Sequence, residues 1–124
     1  YYEEQKAEAR RRAADFLGVR LPKYLEYFEG VLRRSSGPCL LGRTLTYPDL
    51  SLFQTVTGLR YAFPNAMAQL QGSHPRVDAV QRRVATHPRL ARYFASKRRI
   101  AFNRQGIFRH YPELDKQRNN SKKT

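Results

Sequence analysis

The segment Thr46-Tyr47-Pro48-Asp49-Leu50-Ser51-Leu52-Phe53-Gln54-Thr55-Val56-Thr57-Gly58-Leu59 carries its own helix start signal followed by ten uncharged residues. Thr46 and Asp49 have capping-box spacing. The threonine hydroxyl can accept from the Asp49 N–H, while the carboxylate reaches back to the Thr46 N–H and meets the positive helix end. Leu45 before the cap and Leu50 after it fit a hydrophobic staple. Two stripes at helical spacing, Leu50/Phe53/Thr57 and Leu52/Val56/Leu59/Phe63, cover most of the circumference. A helix apolar nearly all round belongs in the middle of a domain.

On the N-terminal side, residues 3–17 are rich in Glu, Lys, Ala and Arg, with Glu4 and Glu8 at helical spacings from basic residues, and read as a half-exposed helix that Gly18 ends. Pro22 then suits the first turn of a new helix. Leu21, Leu25, Phe28 and Leu32 make its apolar stripe, with Glu26 and Glu29 expected off it. Ser35-Ser36-Gly37-Pro38 breaks that helix, and Leu40-Leu41-Gly42 forms a short buried connection.

On the C-terminal side, Pro64-Asn65 marks the end of the apolar helix, although Ala66 to Leu70 can add another turn. Ser73-His74-Pro75-Arg76-Val77 and Thr86-His87-Pro88-Arg89-Leu90 each pair a hydroxyl with a proline, which predicts two short helices over 75–85 and 88–97. Ile100, Phe102, Ile107 and Phe108 are too apolar for a free tail, while Asn103, Gly106 and Pro112 forbid a long helix, so this segment is expected to wrap back over the domain. Strand alternation and hairpin dipeptides are absent. The expected architecture is all-α, a bundle of about five helices around a central apolar helix.

The 124 residues suit one domain, and 24 Lys plus Arg against 10 Asp plus Glu give a net charge of +14. Half of that excess lies in residues 97–124, whose last nine, Lys116 to Thr124, have too little apolar content to fold alone and are expected to be a disordered basic tail. The arginine clusters at 10–12, 33–34 and 82–83, and Lys97-Arg98-Arg99, read as helix surface, without an aromatic or zinc-ligand signature for nucleic acid. No apolar run approaches the roughly 18 residues of a membrane span, so no membrane partner is expected, and nucleic acid is a less favoured one. A single cysteine, Cys39, and the absence of a signal-peptide pattern at Tyr1-Tyr2-Glu3-Glu4 point to a reducing, cytoplasmic setting. The uncapped start at Tyr1 suggests a piece cut from a longer chain.

A set of catalytic residues is not discernible. His74, His87 and His110 lack acidic or cysteine partners at metal-ligand spacing, so capping or surface roles are favoured over a metal. Cys39 reads as a packed thiol, and capping accounts for Asp49.

The run from Leu40 to Phe53 resembles the opening of the central helix in the C-terminal domain of glutathione S-transferases, where a Leu-hydrophobe-Gly turn precedes a Ser/Thr-x-x-Asp box. The Pro22-Lys23-Tyr24-Leu25-Glu26-Tyr27-Phe28-Glu29 helix, the paired His-Pro-Arg starts and the closing segment Gly106 to Asp115 resemble sigma-like members in the same order. The resemblance implies a helical domain over residues 1–115, truncated at the start of its first helix, followed by the tail at 116–124. It implies a parent whose N-terminal thioredoxin-like domain binds glutathione as co-substrate and activates its thiol, so that this chain holds no catalytic residue and is inactive alone. The helical domain then supplies dimer contacts and a hydrophobic pocket for an electrophile, in a cytoplasmic, homodimeric detoxification enzyme. Tyr1 and Tyr2 match positions facing that pocket, and Phe102 and Phe108 match a C-terminal segment that often covers it; ordinary core packing is the alternative for each. A different class also fits the resemblance, a non-catalytic docking module for protein partners or RNA.

Overall fold

A computed structural model describes residues 3–115. After a 3-10 turn at Glu3–Gln5, α1 (Lys6–Asp15) leads through a π turn (Phe16–Arg20) into α2 (Leu21–Arg34). The chain continues with α3 (Tyr47–Ala62), α4 (Pro64–Gln69), α5 (Pro75–Ala85) and α6 (Pro88–Ala95), and a 3-10 turn at Pro112–Leu114. With α1 and α2 joined into one rod, five helical rods form the bundle among the described residues, and no strand accompanies them.

Gly18 does not end the first helix, contrary to the sequence expectation. Pro22 has no N–H to offer, and its ring would collide with the carbonyl four residues back, at Gly18. The chain widens instead: the Leu21 N–H reaches five residues back to the Phe16 carbonyl, and the helix resumes.

Leu21, Leu25 and Leu32 of α2, Leu52, Val56 and Leu59 of α3, and Val77 and Val80 of α5 form the buried core. The short valines let α5 lie against both α2 and α3, and each side chain so buried contributes roughly 1.5–3 kcal/mol. On α3, Leu52, Phe53, Val56, Gly58, Leu59 and Ala62 are buried, while Tyr47, Leu50, Ser51 and Gln54 form an outward stripe. The helix is therefore enclosed on its core side rather than all round.

Glu29 corrects the expectation for α2. One helical turn beyond Leu25, it falls on the inward face and is only 1% exposed. Its carboxylate accepts the N–H of Arg76 at 3.0 Å and of Val77 at 2.9 Å, at the start of α5. That helix needs outside help because its N-cap residue, His74, makes no side-chain capping bond. Asp115 does the same for α4, accepting from Asn65 at 2.8 Å and Ala66 at 3.0 Å. The third buried carboxylate, Asp49, closes the expected capping box on Thr46 and also accepts the Leu40 N–H at 2.9 Å. It thereby fastens α3 to the connection before it, where Cys39 and Gly42 exchange two backbone bonds and Gly42 takes a φ of +126°.

The hydroxyls of the two His-Pro-Arg starts do not cap. The Thr86 hydroxyl bonds back to the Arg82 carbonyl, and the His87 ring accepts the Arg89 N–H at 3.2 Å. The helices begin at the expected prolines, but α6 ends at Ala95, where Ser96 turns extended and its hydroxyl bonds the Tyr93 carbonyl. The segment after α6 wraps over the bundle as expected, and the Pro112–Leu114 turn packs on α1.

Candidate functional site

Two of the four expected pocket residues meet on α3. Phe102 stacks on Tyr61 with ring centroids 4.9 Å apart and meets Phe108 edge to face at 6.1 Å. Phe108 lies flat against Gly58, so closely that a Cβ there would come within 2.4 Å of its ring. Glycine is therefore required mid-helix at this point, and both phenylalanines remain half-buried. Tyr1, Tyr2 and the expected tail at 116–124 lie outside the described residues.

Sequence reading missed the residue that joins this cluster to α6. Arg99, expected on a helix surface, follows the end of α6 and is half-buried. Its guanidinium sits 4.6 Å from the Phe94 ring, 5.9 Å from Phe53 and 6.0 Å from Phe102. Phe53 and Phe94 themselves lie 5.0 Å apart. Phe94 and Phe102 are near neighbours of Arg99 in the chain, but Phe53 comes from α3, so no local spacing could have found the contact that ties this segment to α3. The cation–π contacts hold the segment after α6 against α3.

A separate cavity of about 420 Å³ opens between α2, α3, α4 and α5. Leu25, Val56, Met67 and Val77 supply its apolar walls, and the Arg60–Asp78 ion pair at 2.9 Å stands on its rim. It includes neither Phe102 nor Phe108.

Hydrogen bonding engages two of the histidines with backbone. His87 caps α6, and His110 Nδ1 lies 3.0 Å from the Ala62 carbonyl oxygen. His74 is buried with Nε2 3.7 Å from a Glu26 carboxylate oxygen. Cys39 is fully buried, and desolvation, with the nearby Asp49 carboxylate, pushes its thiol above the ordinary value. That makes it a poor nucleophile. Among the described residues no group of three or more His, Cys, Asp or Glu is placed to hold a metal ion, and no helix is long and apolar enough to cross a membrane. The cluster on α3 thus brings the rings of Tyr61, Phe102 and Phe108 together, with the Arg99 guanidinium beside Phe102.

Comparison with known proteins points to one family. A glutathione S-transferase from Plasmodium yoelii yoelii is 26% identical over 87 residues, which are 70% of this chain and 40% of that protein. The chain therefore spans well under half the length of this relative. The family description "Glutathione S-transferase, C-terminal domain" matches residues 1–97. That match takes in α1 through α6 and stops short of Phe102 and Phe108. The chain belongs to the glutathione S-transferase C-terminal domain family.

Proposed function

We propose that this chain is the helical half of a cytoplasmic glutathione transferase and provides the wall against which an apolar electrophile rests. In this reading glutathione is held, and its thiol activated, by a thioredoxin-like domain of the same parent chain, and two such parents form a homodimer. Phe102 and Phe108, with Tyr1 and Tyr2, line the electrophile side. The observation that carries the reading is the family match over residues 1–97 in a chain whose following segment lays two phenylalanines across α3. Aromatic rings that remain half-buried can exchange solvent for an apolar ligand, and that exchange is favourable in proportion to the area covered.

The test is steady-state conjugation by the parent protein with a chromogenic electrophile. Phe102→Ala and Phe108→Ala should raise KM for the electrophile by roughly fivefold or more, as expected for losing part of an aromatic contact. KM for glutathione should stay the same. Equal effects on both substrates would remove the assignment of these residues. Turnover by the 124-residue chain alone would overturn the division of labour.

A further inference from the structure

From Ala79 to Pro112 the chain contains nine Lys or Arg residues and no Asp or Glu. Within this stretch, the loop after α6 holds its aromatic residues inward and its aliphatic residues outward. Phe102 and Phe108 pack on α3 and on each other, pinning the two arms of the loop together. Asn103 Oδ1 accepts the N–H of Gln105 and of Gly106, both at 2.8 Å, which closes a tight turn between them. Outside this pinned base, Ile100 is 84% exposed and Ile107 is 92% exposed, the two most exposed large apolar side chains among the described residues. Lys97, Arg98, Arg104 and Arg109 flank them and are exposed as well.

We infer that this loop docks on an anionic phospholipid surface, with Ile100 and Ile107 entering the headgroup boundary and Lys97, Arg98, Arg104 and Arg109 meeting lipid phosphates. An isoleucine held fully in water gains by leaving it. Cations around it favour a negatively charged surface, each strengthening attachment about fivefold. A nucleic acid would use the same charge but would seek exposed ring faces for its bases. Here Phe94, Phe102 and Phe108 are only half-exposed, Phe102 leaning on Phe108 and Tyr61 and Phe94 on Phe53 and Arg99; Tyr93 on α6 leans on Phe94, and the most exposed apolar side chains of the loop are aliphatic. The chain would lie on a membrane rather than cross it, and the proposal is independent of the transferase reading.

The chain contains no tryptophan, so Ile107→Trp introduces a single reporter on the exposed side of the loop. With phosphatidylcholine vesicles containing phosphatidylserine, its emission should shift to the blue, and with pure phosphatidylcholine it should not. In co-sedimentation, Ile100→Ser combined with Ile107→Ser should weaken partitioning at least about tenfold at unchanged charge. Arg104→Gln and Arg109→Gln should each weaken it about fivefold. Far-UV circular dichroism checks that the variants remain folded. The proposal is overturned if the unmodified chain ignores anionic vesicles at about 0.1 M salt, or if the double serine variant binds as well as the parent sequence. It is equally overturned if the emission of the Ile107→Trp variant moves with protein concentration alone, the mark of a second copy, or responds to polyuridylate and not to vesicles.

Discussion

The carboxylate of Glu29, midway along α2, lies 2.9 Å from the backbone nitrogen of Val77, 48 residues further along the chain. The same carboxylate also accepts from Arg76. One buried charge thus ends the solvation deficit of two donors at the start of α5 and ties α2 to that helix. The positive end of the helix dipole offsets part of its desolvation. Glu29→Gln keeps the shape but turns an amide group toward N–H donors, and should lower unfolding free energy by about 2 kcal/mol. Glu29→Ala, which leaves the donors unpartnered as well as a void, should lower it by about 3 kcal/mol or more. Urea denaturation followed by circular dichroism measures both; a loss under about half a kilocalorie for Glu29→Ala would contradict this role.

Gly58 poses a contest between helix propensity and packing. Alanine in an exposed helix interior gains about 1 kcal/mol over glycine. At Gly58 the added Cβ would meet the Phe108 ring at 2.4 Å, and displacing that ring should make Gly58→Ala destabilising by about 1–3 kcal/mol. Combined with Phe108→Ala, the same substitution should become neutral or favourable. The coupling energy from this double-mutant cycle reads the contact directly, and simple additivity would refute it.

The two members of the capping box should differ in importance. Thr46 serves the first turn of α3, and Thr46→Ala should cost about 1 kcal/mol. Asp49 is fully buried and accepts from Leu40 as well as Thr46. Asp49→Ala should therefore cost about 2–4 kcal/mol, since it strands donors from two segments. Denaturation midpoints in the reverse order would show that the link to Leu40 contributes nothing.

Cys39 gives a pH signature. In the unfolded chain a thiol ionises near about pH 8.5, whereas burial, and then the Asp49 carboxylate, hold it protonated to higher pH in the folded chain. The raised folded value means that its contribution to stability is complete below the unfolded pKa and declines as pH rises through the folded one. Stability measured from about pH 7 to pH 10 should fall more steeply for the parent sequence than for Cys39→Ala. Parallel profiles would count against it. Labelling of Cys39 by a thiol reagent at neutral pH should track global unfolding.

Much of the fold could be read locally. The capping box at Thr46 and Asp49, the prolines at the starts of α5 and α6, and the stripe Leu21/Leu25/Leu32 are signals carried within one or two turns of chain, and each marked its element correctly. The inward turn of Glu29 was also within reach, because it stands four residues after Leu25 on the same face; the expectation that a carboxylate faces water obscured it. The continuity of α1 into α2 depended on a rarer device, the π turn that accommodates Pro22.

What the chain determined by itself was its helical class, the starts of α3, α5 and α6 and most of its core, since periodicity and capping act over a few residues. What tertiary structure alone decided was the partnering of groups some fifty residues apart, such as Asp115 with Asn65. It also decided the enclosure of Arg99 among Phe53, Phe94 and Phe102, and the seating of Phe108 on Gly58. These relationships arise only when separate elements pack, because a buried donor, a cation or a bare stretch of helix takes whichever complementary group the fold brings within a few ångströms.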